Sequence, residues 1–234
     1  MKIYPYFEQA FILKRYKRFM VDIRLANGEE MTVHCPNTGS MRNCWAEGGL
    51  CWFSRTDKPH RKLLGTLELT VTPEGFLCGV NTQRSNYLVR EGIECGIIKE
   101  LQGYEDICAE VKYGSEKSRI DFLLSKAGQE CYVEVKNVTF GIGGGRILFP
   151  DAVTKRGVKH LRELIKMVDQ GHRSILVFCV QHTGAKTVGL ADEIDPYYAQ
   201  VMQQALSAGV EVIAYSCRLS PEEIAVEKRL PFIL

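Results

Sequence analysis

The chain has 234 residues, of which 45% are hydrophobic and 25% are charged, and its formal net charge is +2. These proportions are ordinary for a soluble globular protein, and the length suits one large domain or two small ones. No run approaches the roughly 18 apolar residues that a membrane-spanning helix needs. The amino terminus also lacks the apolar core and cleavage site of a signal peptide, so we expect no membrane partner.

Nine cysteines are scattered along the chain without a Cys-x-x-Cys pair. The odd number argues against a disulfide framework, and the scatter argues against a structural zinc site. Several lie inside apolar runs, where cysteine behaves as a small hydrophobic residue; these are Cys78, Cys131, Cys179 and Cys217. This usage favours a reducing compartment, so we expect a cytoplasmic protein.

The first 80 residues read as a small β-domain. Residues 10–24 alternate apolar and basic side chains in the pattern of one long strand, and further short apolar runs occupy residues 30–35, 50–55, 62–71 and 75–80. Four or five short strands without a convincing helix predict an OB-like β-barrel over residues 1–80, a fold that binds oligonucleotides. This part holds 11 Lys and Arg against 8 Asp and Glu, whereas residues 81–234 hold 19 against 20. The barrel is therefore the better candidate for binding a polyanion.

A polar loop over residues 35–44 interrupts the predicted barrel. Its Asn37, Thr38, Ser40 and Arg42 could present donors to a phosphate or a sugar. The alternative is a loop built from ordinary turn-forming residues. Trp45, Trp52 and Phe53 nearby either stack bases or pack the barrel core.

From residue 81 the pattern becomes that of an α/β domain, which we expect to extend to residue 234. Helices are predicted over residues 86–101, 153–170 and 196–207. Strands are predicted over residues 107–113, 119–125, 130–138, 174–181 and 210–217. Residues 141–146 read as a glycine-rich link, and residues 221–224 as a helical turn before the tail.

Three charged residues lie on two neighbouring strands of this domain. A short turn joins residues 119–125 to residues 130–138, so the hairpin brings Asp121 beside Glu134. Because side chains alternate along a strand, Glu134 and Lys136 share one face. Adjacent carboxylates repel unless a cation lies between them, and oxygen ligands suit Mg²⁺. The alternative is a solvated ion pair on an exposed strand.

Other polar residues could extend this site. Glu110, on the preceding strand, or Glu94, on the first helix, could add a carboxylate, and spacing does not choose between them. Gln181 ends the next strand and could point into the same cleft. A basic group crowds the start of the second helix and would suit a phosphate backbone, or it is simply a charged solvent face; its members are Lys155, Arg156, Lys159 and His160.

The motifs carry two resemblances. Asp121, Glu134 and Lys136, set among helix, three strands, helix and strand, resemble the PD-(D/E)xK nuclease superfamily, although Ile120 stands where the superfamily has proline. Over its length the chain resembles the sugar fermentation stimulation protein A family. The segments that carry this second resemblance are CPNTGSM (35–41), VNTQRSN (80–86), RIDFLL (119–124), YVEVKNVT (132–139) and FPDAVTKRGVKHLREL (149–164).

These resemblances imply an OB-like domain followed by a nuclease-like α/β domain in a bacterial cytoplasm. They imply Asp121, Glu134 and the Val135 carbonyl as ligands of Mg²⁺ or Mn²⁺, with Lys136 positioning or activating the attacking water. The family description adds DNA binding and a link to sugar metabolism, particularly that of maltose. We expect largely non-specific DNA binding through the backbone. The alternatives are an active DNA or RNA phosphodiesterase without a regulatory role, a non-catalytic nucleic-acid-binding module, or a barrel that binds a sugar or other small ligand.

Overall fold

The computed structural model describes residues 1–3, 5–56, 61–114 and 118–234. The first part is a barrel of five strands, β1 (Glu8–Tyr16), β2 (Met20–Leu25), β3 (Glu30–His34), β4 (Leu50–Arg55) and β5 (Gly65–Val71). The order is β3-β2-β1-β4-β5, and a parallel pairing of His34 with Thr66 closes the barrel between β3 and β5. A short strand, β6 (Leu77–Gly79), pairs with β5. The predicted OB-like fold is confirmed.

The predicted single strand over residues 10–24 is wrong, because β1 and β2 form a hairpin. Tyr16 pairs with Met20, and the two residues after Tyr16 adopt left-handed conformations, with φ of 49° at Lys17 and 63° at Arg18. Such values are uncommon outside glycine, asparagine and aspartate. The alternating pattern runs through this turn without a break, so the sequence gives no sign of it.

The second part contains three α-helices and ten strands among the described residues. In chain order they are α1 (Arg84–Glu94), β7 (Asp106–Tyr113), β8 (Ser118–Lys126), β9 (Gln129–Val138), β10 (Phe140–Gly141), β11 (Arg146–Phe149), α2 (Lys155–Asp169), β12 (Arg173–Val180), β13 (Thr187–Leu190), α3 (Pro196–Ala208), β14 (Glu211–Leu219), β15 (Ile224–Leu230) and β16 (Phe232–Ile233). None of these helices is long and apolar enough to span a membrane.

A six-stranded mixed sheet forms the centre of this part, in the order β15-β14-β12-β9-β8-β7. Strands β9, β12 and β14 are parallel, as expected for strands connected by helices. On one face α1 contributes Leu88 and Val89 to a core with Val133 of β9. On the other face α2 and α3 pack Leu161 and Met202 against the sheet. The predicted two-domain combination of a barrel and an α/β domain is therefore confirmed.

Several segments differ from the prediction. The first helix ends at Glu94 rather than near residue 101, because Gly96 adopts a left-handed φ of 70° and stops it. The glycine-rich link is the turn between β10 and β11, and these two strands and the tail belong to a second sheet, in the order β10-β11-β13-β16. The predicted helical turn over residues 221–224 is wrong, since Ile224 begins β15. There Ile224 and Val226 are buried on alternate positions, as in a strand.

The two parts are joined by direct contacts. The Arg84 guanidinium at the start of α1 donates to the buried Glu68 of β5, from Nε at 2.5 Å and from Nη2 at 2.8 Å. Cys78 of β6 forms a β-bridge with His182, which follows β12. These contacts fix the barrel against the edge of the α/β domain at which β9 and β12 end.

Candidate functional site

The β8–β9 hairpin opens at Asp121. Phe122 pairs with Val133, so Asp121 and Glu134 are the next residues along the two strands. Here the Asp121 side chain takes the place of a backbone carbonyl as hydrogen-bond acceptor. Its Oδ2 accepts from the Val135 N–H at 2.7 Å. Its Oδ1 accepts from Asn86 of α1 at 2.8 Å. The hairpin and the first helix together hold this carboxylate at the end of the ladder.

Glu134 lies beside Asp121 in a buried position and is 2% exposed. Its Oε1 accepts a hydrogen bond from Lys136 Nζ at 2.5 Å and another from His160 Nδ1. Within the described part of the chain, its Oε2 has no hydrogen-bond partner. A buried carboxylate oxygen without a partner costs free energy, which makes it a natural position for a cation or a water. Glu134 and Lys136 lie on the same face of β9 and touch.

His160 of α2 is 6% exposed, so it is part of the wall behind Glu134 rather than an open phosphate contact. Arg156, one turn earlier, donates from Nε to His160 Nε2 at 3.3 Å. Because Nε2 accepts this bond, Nδ1 carries the proton and donates it to Glu134. Helix α2 thus supplies both His160, which donates to Glu134, and Arg156, which sets the tautomer of His160.

Charge and burial act differently on the two carboxyl groups. Burial raises the pKa of Asp121, and the negative charge of Glu134 raises it further, against the Val135 N–H and the charge of Lys136. Burial alone would raise the pKa of Glu134, but the Lys136 charge and the His160 hydrogen bond outweigh it and lower that pKa. Glu134 is therefore held ionised. Asp121 is the carboxyl group whose ionised form a nearby cation would stabilise most.

A cavity of about 310 Å³ lies beside this cluster, between the barrel and the α/β domain; its described lining includes Lys136 and Asn86 but neither Asp121 nor Glu134. Lys136 lines it together with loop residues of the barrel and the segment after β11; the lining includes Asn37, Thr38, Gly39, Ser85, Asn86, Asn137, Pro150 and Asp151. Both parts of the chain therefore build its walls. A larger cavity of about 560 Å³, bordered by Arg146, Lys186 and Asp192, contains none of the predicted site residues.

The loop of residues 37–41 is fixed to the far wall of the cavity through Asp151. Ser40 Oγ donates to the Asp151 carbonyl at 2.8 Å, and the Met41 N–H donates to Asp151 Oδ2 at 2.9 Å. A Cβ at Gly39 would meet Asp151 Oδ1 at 2.4 Å, so only glycine allows this approach. From the barrel side, Arg15 Nη2 donates to the carbonyls of Asn37 and Gly39, at 2.9 Å each.

The remaining predicted residues fall into two groups. Gln181 is 1% exposed and lies beneath the cavity, where its Nε2 donates to Asn137 Oδ1 at 2.6 Å and to Ser85 Oγ at 3.2 Å. Glu94 is exposed, pairs with Arg90 at 2.8 Å, and is eight residues from Asn86, about 12 Å along the helix axis. The structure does not bring it to the site.

Glu110 remains near Asp121. It lies between Ala109 and Val111, which pair with Phe122 and Ile120, so it occupies the ladder position opposite Asp121. Its side chain is exposed and its φ is 56°.

The predicted nucleic-acid contacts are unequal in accessibility. Thr38, Ser40 and Arg42 are exposed, whereas Asn37 is 5% exposed. Lys155 and Arg156 are exposed at the first turn of α2, and Lys159 is half-buried. Of the aromatic residues first considered for stacking, Phe53 is fully buried in the barrel core, and Trp45 and Trp52 are partly buried against core clusters.

Sequence reasoning missed the roles of Asn86 and Asp151 and one contact of a predicted residue, His160. Asn86 and Asp151 lie within the VNTQRSN and FPDAVTK segments, so the segments were found but not these roles. The contact of His160 with Glu134 joins residues 26 positions apart, on a helix and a strand. No local spacing reports such a contact.

A small divalent cation fits these residues. Mg²⁺ usually keeps several waters and needs only one or two carboxylates from the protein. Asp121 and Glu134 supply two, and Glu134 Oε2 has no hydrogen-bond partner within the described residues. No group of three or more His, Cys, Asp or Glu side chains forms a ready-made metal cage in residues 1–3, 5–56, 61–114 and 118–234. The site suits a hydrated cation better than a fully enclosed one.

Comparison with known proteins gives matches over nearly the whole chain. A family model described as "Sugar fermentation stimulation protein RE domain" matches residues 83–223, and one described as "SfsA N-terminal OB domain" matches residues 13–80. A sugar fermentation stimulation protein homolog of Shewanella loihica is 54% identical over 228 residues, 97% of each chain. A homolog from Pseudomonas putida is 53% identical over 235 residues, covering 100% of this chain and 99% of its own.

A solved structure supports the same assignment. The structure of Pyrococcus furiosus SfsA in complex with Ca²⁺ is 26% identical in sequence and superposes with a TM-score of 0.89, covering 100% of this chain and 98% of that one. The family models, the relatives and the fold agree, and they confirm the resemblance found in the sequence. The chain belongs to the sugar fermentation stimulation protein (SfsA) family.

Proposed function

We propose that this protein binds DNA largely through the sugar-phosphate backbone of the DNA. We propose further that it hydrolyses phosphodiester bonds with a divalent cation held at Asp121 and Glu134. One observation carries the proposal. A buried glutamate, held on one oxygen by Lys136 and His160, has no hydrogen-bond partner for its other oxygen among the described residues. It lies beside a second, half-buried carboxylate, next to a cavity that Lys136 lines.

The cation would be held by Asp121, Glu134 and the Val135 carbonyl. The Pyrococcus furiosus SfsA structure is a complex with Ca²⁺, and we extend divalent-cation binding to this chain. We propose Mg²⁺ or Mn²⁺ as the cation for hydrolysis. When bound, such an ion lowers the pKa of a coordinated water and neutralises charge that develops on the phosphate.

The protein's own residues have separate tasks. Asn86 and the Val135 N–H orient the Asp121 carboxylate. His160 orients Glu134, so that its Oε2 rather than its Oε1 is left for a ligand. Lys136 lines the cavity and adds positive charge where negative charge accumulates on the phosphate.

DNA would lie across the mouth of the cavity. Lys155, Arg156 and Lys159 bring positive charge to the first turns of α2, where the helix amino terminus already attracts anions. Thr38 and Arg42 are exposed on the barrel side. Contacts of this kind position a backbone and carry little sequence information, so binding should be strongly salt-dependent and largely non-specific. The family name also leads us to propose an effect on sugar metabolism in a bacterial cytoplasm, downstream of this binding.

A non-catalytic DNA-binding module is the second candidate. It is favoured by the fact that both Asp121 oxygens already accept hydrogen bonds from Asn86 and Val135. The two candidates differ in chemistry, because a pure binder gains nothing from carboxylates that face phosphates. At an effective dielectric constant near 20, two like charges about 4 Å apart repel by roughly 4 kcal/mol before screening.

The test is incubation of the pure protein with labelled single-stranded and duplex DNA and RNA, in Mg²⁺, in Mn²⁺ and in EDTA. We expect cleavage that requires the cation, is lost in Asp121→Ala and falls by about 10²–10³-fold in Lys136→Ala. Cleavage that persists in both variants would come from a contaminating nuclease. Metal-strengthened DNA binding without cleavage would favour the second candidate. If EDTA changes neither cleavage nor affinity, the cation has no role and the proposed metal-dependent hydrolysis is wrong.

A further inference from the structure

The larger cavity of the molecule lies on the second sheet. Its volume is about 560 Å³, which is within the range of ordinary small-molecule sites. Strands β11 and β13 form one part of its lining, and Ala199 and Gln203 of α3 and Ile233 of β16 form another. It shares none of its described lining residues with the cavity beside Lys136, so the two cavities are separate sites.

The floor of this cavity is apolar and lies over Gly189. Ile147 of β11 packs into the core, so its neighbours Arg146 and Leu148 face the other way. The register places Leu148 beside Gly189 and Gly189 beside Ile233. A Cβ at Gly189 would lie only 3.2 Å from Leu148 Cδ2, so the leucine side chain lies across the bare backbone of the glycine. The flat face of a ligand can lie on this floor.

Two cations lie at one end of the floor. Arg146 pairs with Thr187, and Lys186 directly precedes Thr187, so the two basic residues are neighbours across β11 and β13. The stem of Lys186 packs against Gly145, where a Cβ would lie 2.7 Å from the lysine Cγ. Both basic side chains are exposed and form no ion pair or hydrogen bond within the described residues. The pair can therefore bind an anion.

The charge of this pair matches a phosphate monoester, which carries about −1.5 to −2 charges at pH 7. The planar guanidinium of Arg146 can bind two of its oxygens, and the ammonium of Lys186 adds a point charge. A carboxylate, or a phosphodiester within a nucleic-acid chain, carries a single negative charge and would leave one of the two cations without a counter-ion.

A carboxylate lies toward the other end of the cavity. Thr187 and Leu190 are the two ends of β13, about 10 Å apart, and Asp192 follows two residues after Leu190. Asp192 Oδ1 accepts from the Glu193 N–H at 3.1 Å, and the side chain is exposed without an ion pair in the described part of the chain. A carboxylate accepts from hydroxyl groups and repels a second anion. The amide of Gln203 can both donate and accept.

We propose that this cavity binds a small phosphate monoester whose compact body carries hydroxyl groups, as sugar phosphates and nucleoside monophosphates do. The phosphate lies between Arg146 and Lys186. The body lies on Leu148 and Gly189, and one of its hydroxyl groups donates to Asp192. The opposite charges at the two ends fix the direction in which the ligand lies. This site needs neither the divalent cation nor the proposed hydrolysis.

The test is calorimetric titration of the full chain, in EDTA, with glucose 6-phosphate, adenosine 5′-monophosphate and inorganic phosphate. We expect at least one of the two monoesters to bind, and the one that binds more tightly identifies the body. The double variant Arg146→Ala, Lys186→Ala should weaken its binding by roughly 10- to 100-fold, the effect of losing hydrogen bonds that involve a charged group. If neither monoester binds, the proposal is overturned.

The double variant Lys112→Ala, Arg119→Ala is the matched control. These two cations pair across β7 and β8, are exposed, and form no ion pair within the described residues. The control therefore loses the same charge on a different sheet, and it should leave the affinity for the monoester unchanged. If the two double variants weaken binding equally, net charge rather than this cavity explains the binding, and the site is refuted.

Asp192→Asn tests the other end of the cavity and leaves both cations in place. An amide oxygen is a weaker acceptor than a carboxylate, so we expect binding of the preferred monoester to weaken by about 10-fold. Binding of inorganic phosphate should not weaken, because that ion has no body to reach Asp192. Equal weakening for both ligands, or inorganic phosphate that binds as tightly as the monoesters, would contradict the assigned ligand.

Discussion

Two buried glutamates of this protein have opposite surroundings. Glu68, at the junction of the barrel with α1, has both oxygens occupied. Its Oε1 accepts from Ser54 at 2.7 Å and from Arg84 at 2.8 Å, and its Oε2 accepts from Asn81 at 2.8 Å and from Arg84 at 2.5 Å. Glu134, next to the cavity-lining Lys136, has donors on one oxygen and none from the described residues on the other.

The difference separates a structural charge from a functional one. Both side chains are 2% exposed, so burial alone does not distinguish them. A saturated carboxylate has no bonding capacity left for a ligand and gains stability from the bonds that it has. A buried carboxylate that lacks a hydrogen bond to one oxygen retains an unfavourable desolvation free energy, which a bound ligand can remove. Hydrogen-bond saturation, rather than burial, therefore separates Glu134 from Glu68.

The largest expected effect is on stability at the junction. Glu68→Gln leaves the partly buried charge of Arg84 without an anionic partner. It also places an amide N–H donor against one of the N–H donors of the guanidinium. We expect the free energy of unfolding to fall by about 3–5 kcal/mol, as when one partner of a buried pair is removed. Urea denaturation measures this. Glu134→Gln is the comparison variant and should lose less stability; equal losses would erase the distinction between the two sites.

The next effect is on chemistry in the cavity. Lys136→Ala removes the positive charge next to the reacting phosphate, and we expect turnover to fall by about 10²–10³-fold, as when one transition-state donor is lost. Single-turnover cleavage in Mn²⁺ measures it, with circular dichroism to verify folding. A variant that retains wild-type turnover would show that this lysine serves only to hold Glu134.

A smaller effect tests how His160 positions Glu134. An asparagine amide can place its N–H close to the position of the His160 Nδ1–H, whereas a glutamine amide reaches the position of Nε2. We expect His160→Gln to weaken cation affinity by about 10–100-fold, the range for residues that orient a ligand, and His160→Asn to recover part of the loss. Calorimetric titration with Ca²⁺ and Mn²⁺ measures both. Equal affinities in the two variants would mean that His160 only fills space.

The smallest expected effect returns to the junction, where His182 is 4% exposed. Burial lowers the pKa of His182, against the opposing charge of Glu74. Below about pH 6.5 the unfolded chain takes up a proton at this residue more readily than the folded protein does, so stability is lost as pH falls from there to the lowered pKa.

His182→Asn keeps an acceptor for the Gly184 N–H, which donates to His182 Nδ1 at 3.1 Å, and cannot titrate. Between about pH 7.5 and about pH 5.5 the wild type should therefore lose more stability than the variant, by about 1.4 kcal/mol for each unit of pKa shift. Urea midpoints at the two pH values measure the difference. If the wild type and the variant lose equal stability between the two pH values, groups other than His182 dominate the loss of stability at acid pH.

The sequence was sufficient for the barrel, the α/β domain and the hairpin that carries Asp121 and Glu134, because alternation and turn composition are local properties. It was insufficient where the backbone overrides composition. Lys17 and Arg18 take left-handed conformations that neither residue type signals, and β11, which follows the glycine-rich link, pairs with the distant β13.

The site shows the same division. Pairing across one hairpin placed Asp121 next to Glu134, but Glu94 could be dismissed only after its ion pair with Arg90 was seen. His160 was chosen for its charge at the start of a helix, and the structure places it behind Glu134 instead. Contacts between a helix and a strand far apart in sequence depend on packing, which spacing does not encode.

The bare backbone at Gly39, seated on the Asp151 carboxylate, makes the two halves of the molecule mutually dependent. The α/β domain expressed by itself would retain Asp121, Glu134 and Lys136 but would lack the barrel residues that form one wall of the cavity. The barrel by itself would keep the Arg15 contacts to the loop of residues 37–41 but lose those to Asp151. An exchange of barrels between two relatives would preserve this contact only where the first partner supplies a glycine and the second an aspartate at these two positions.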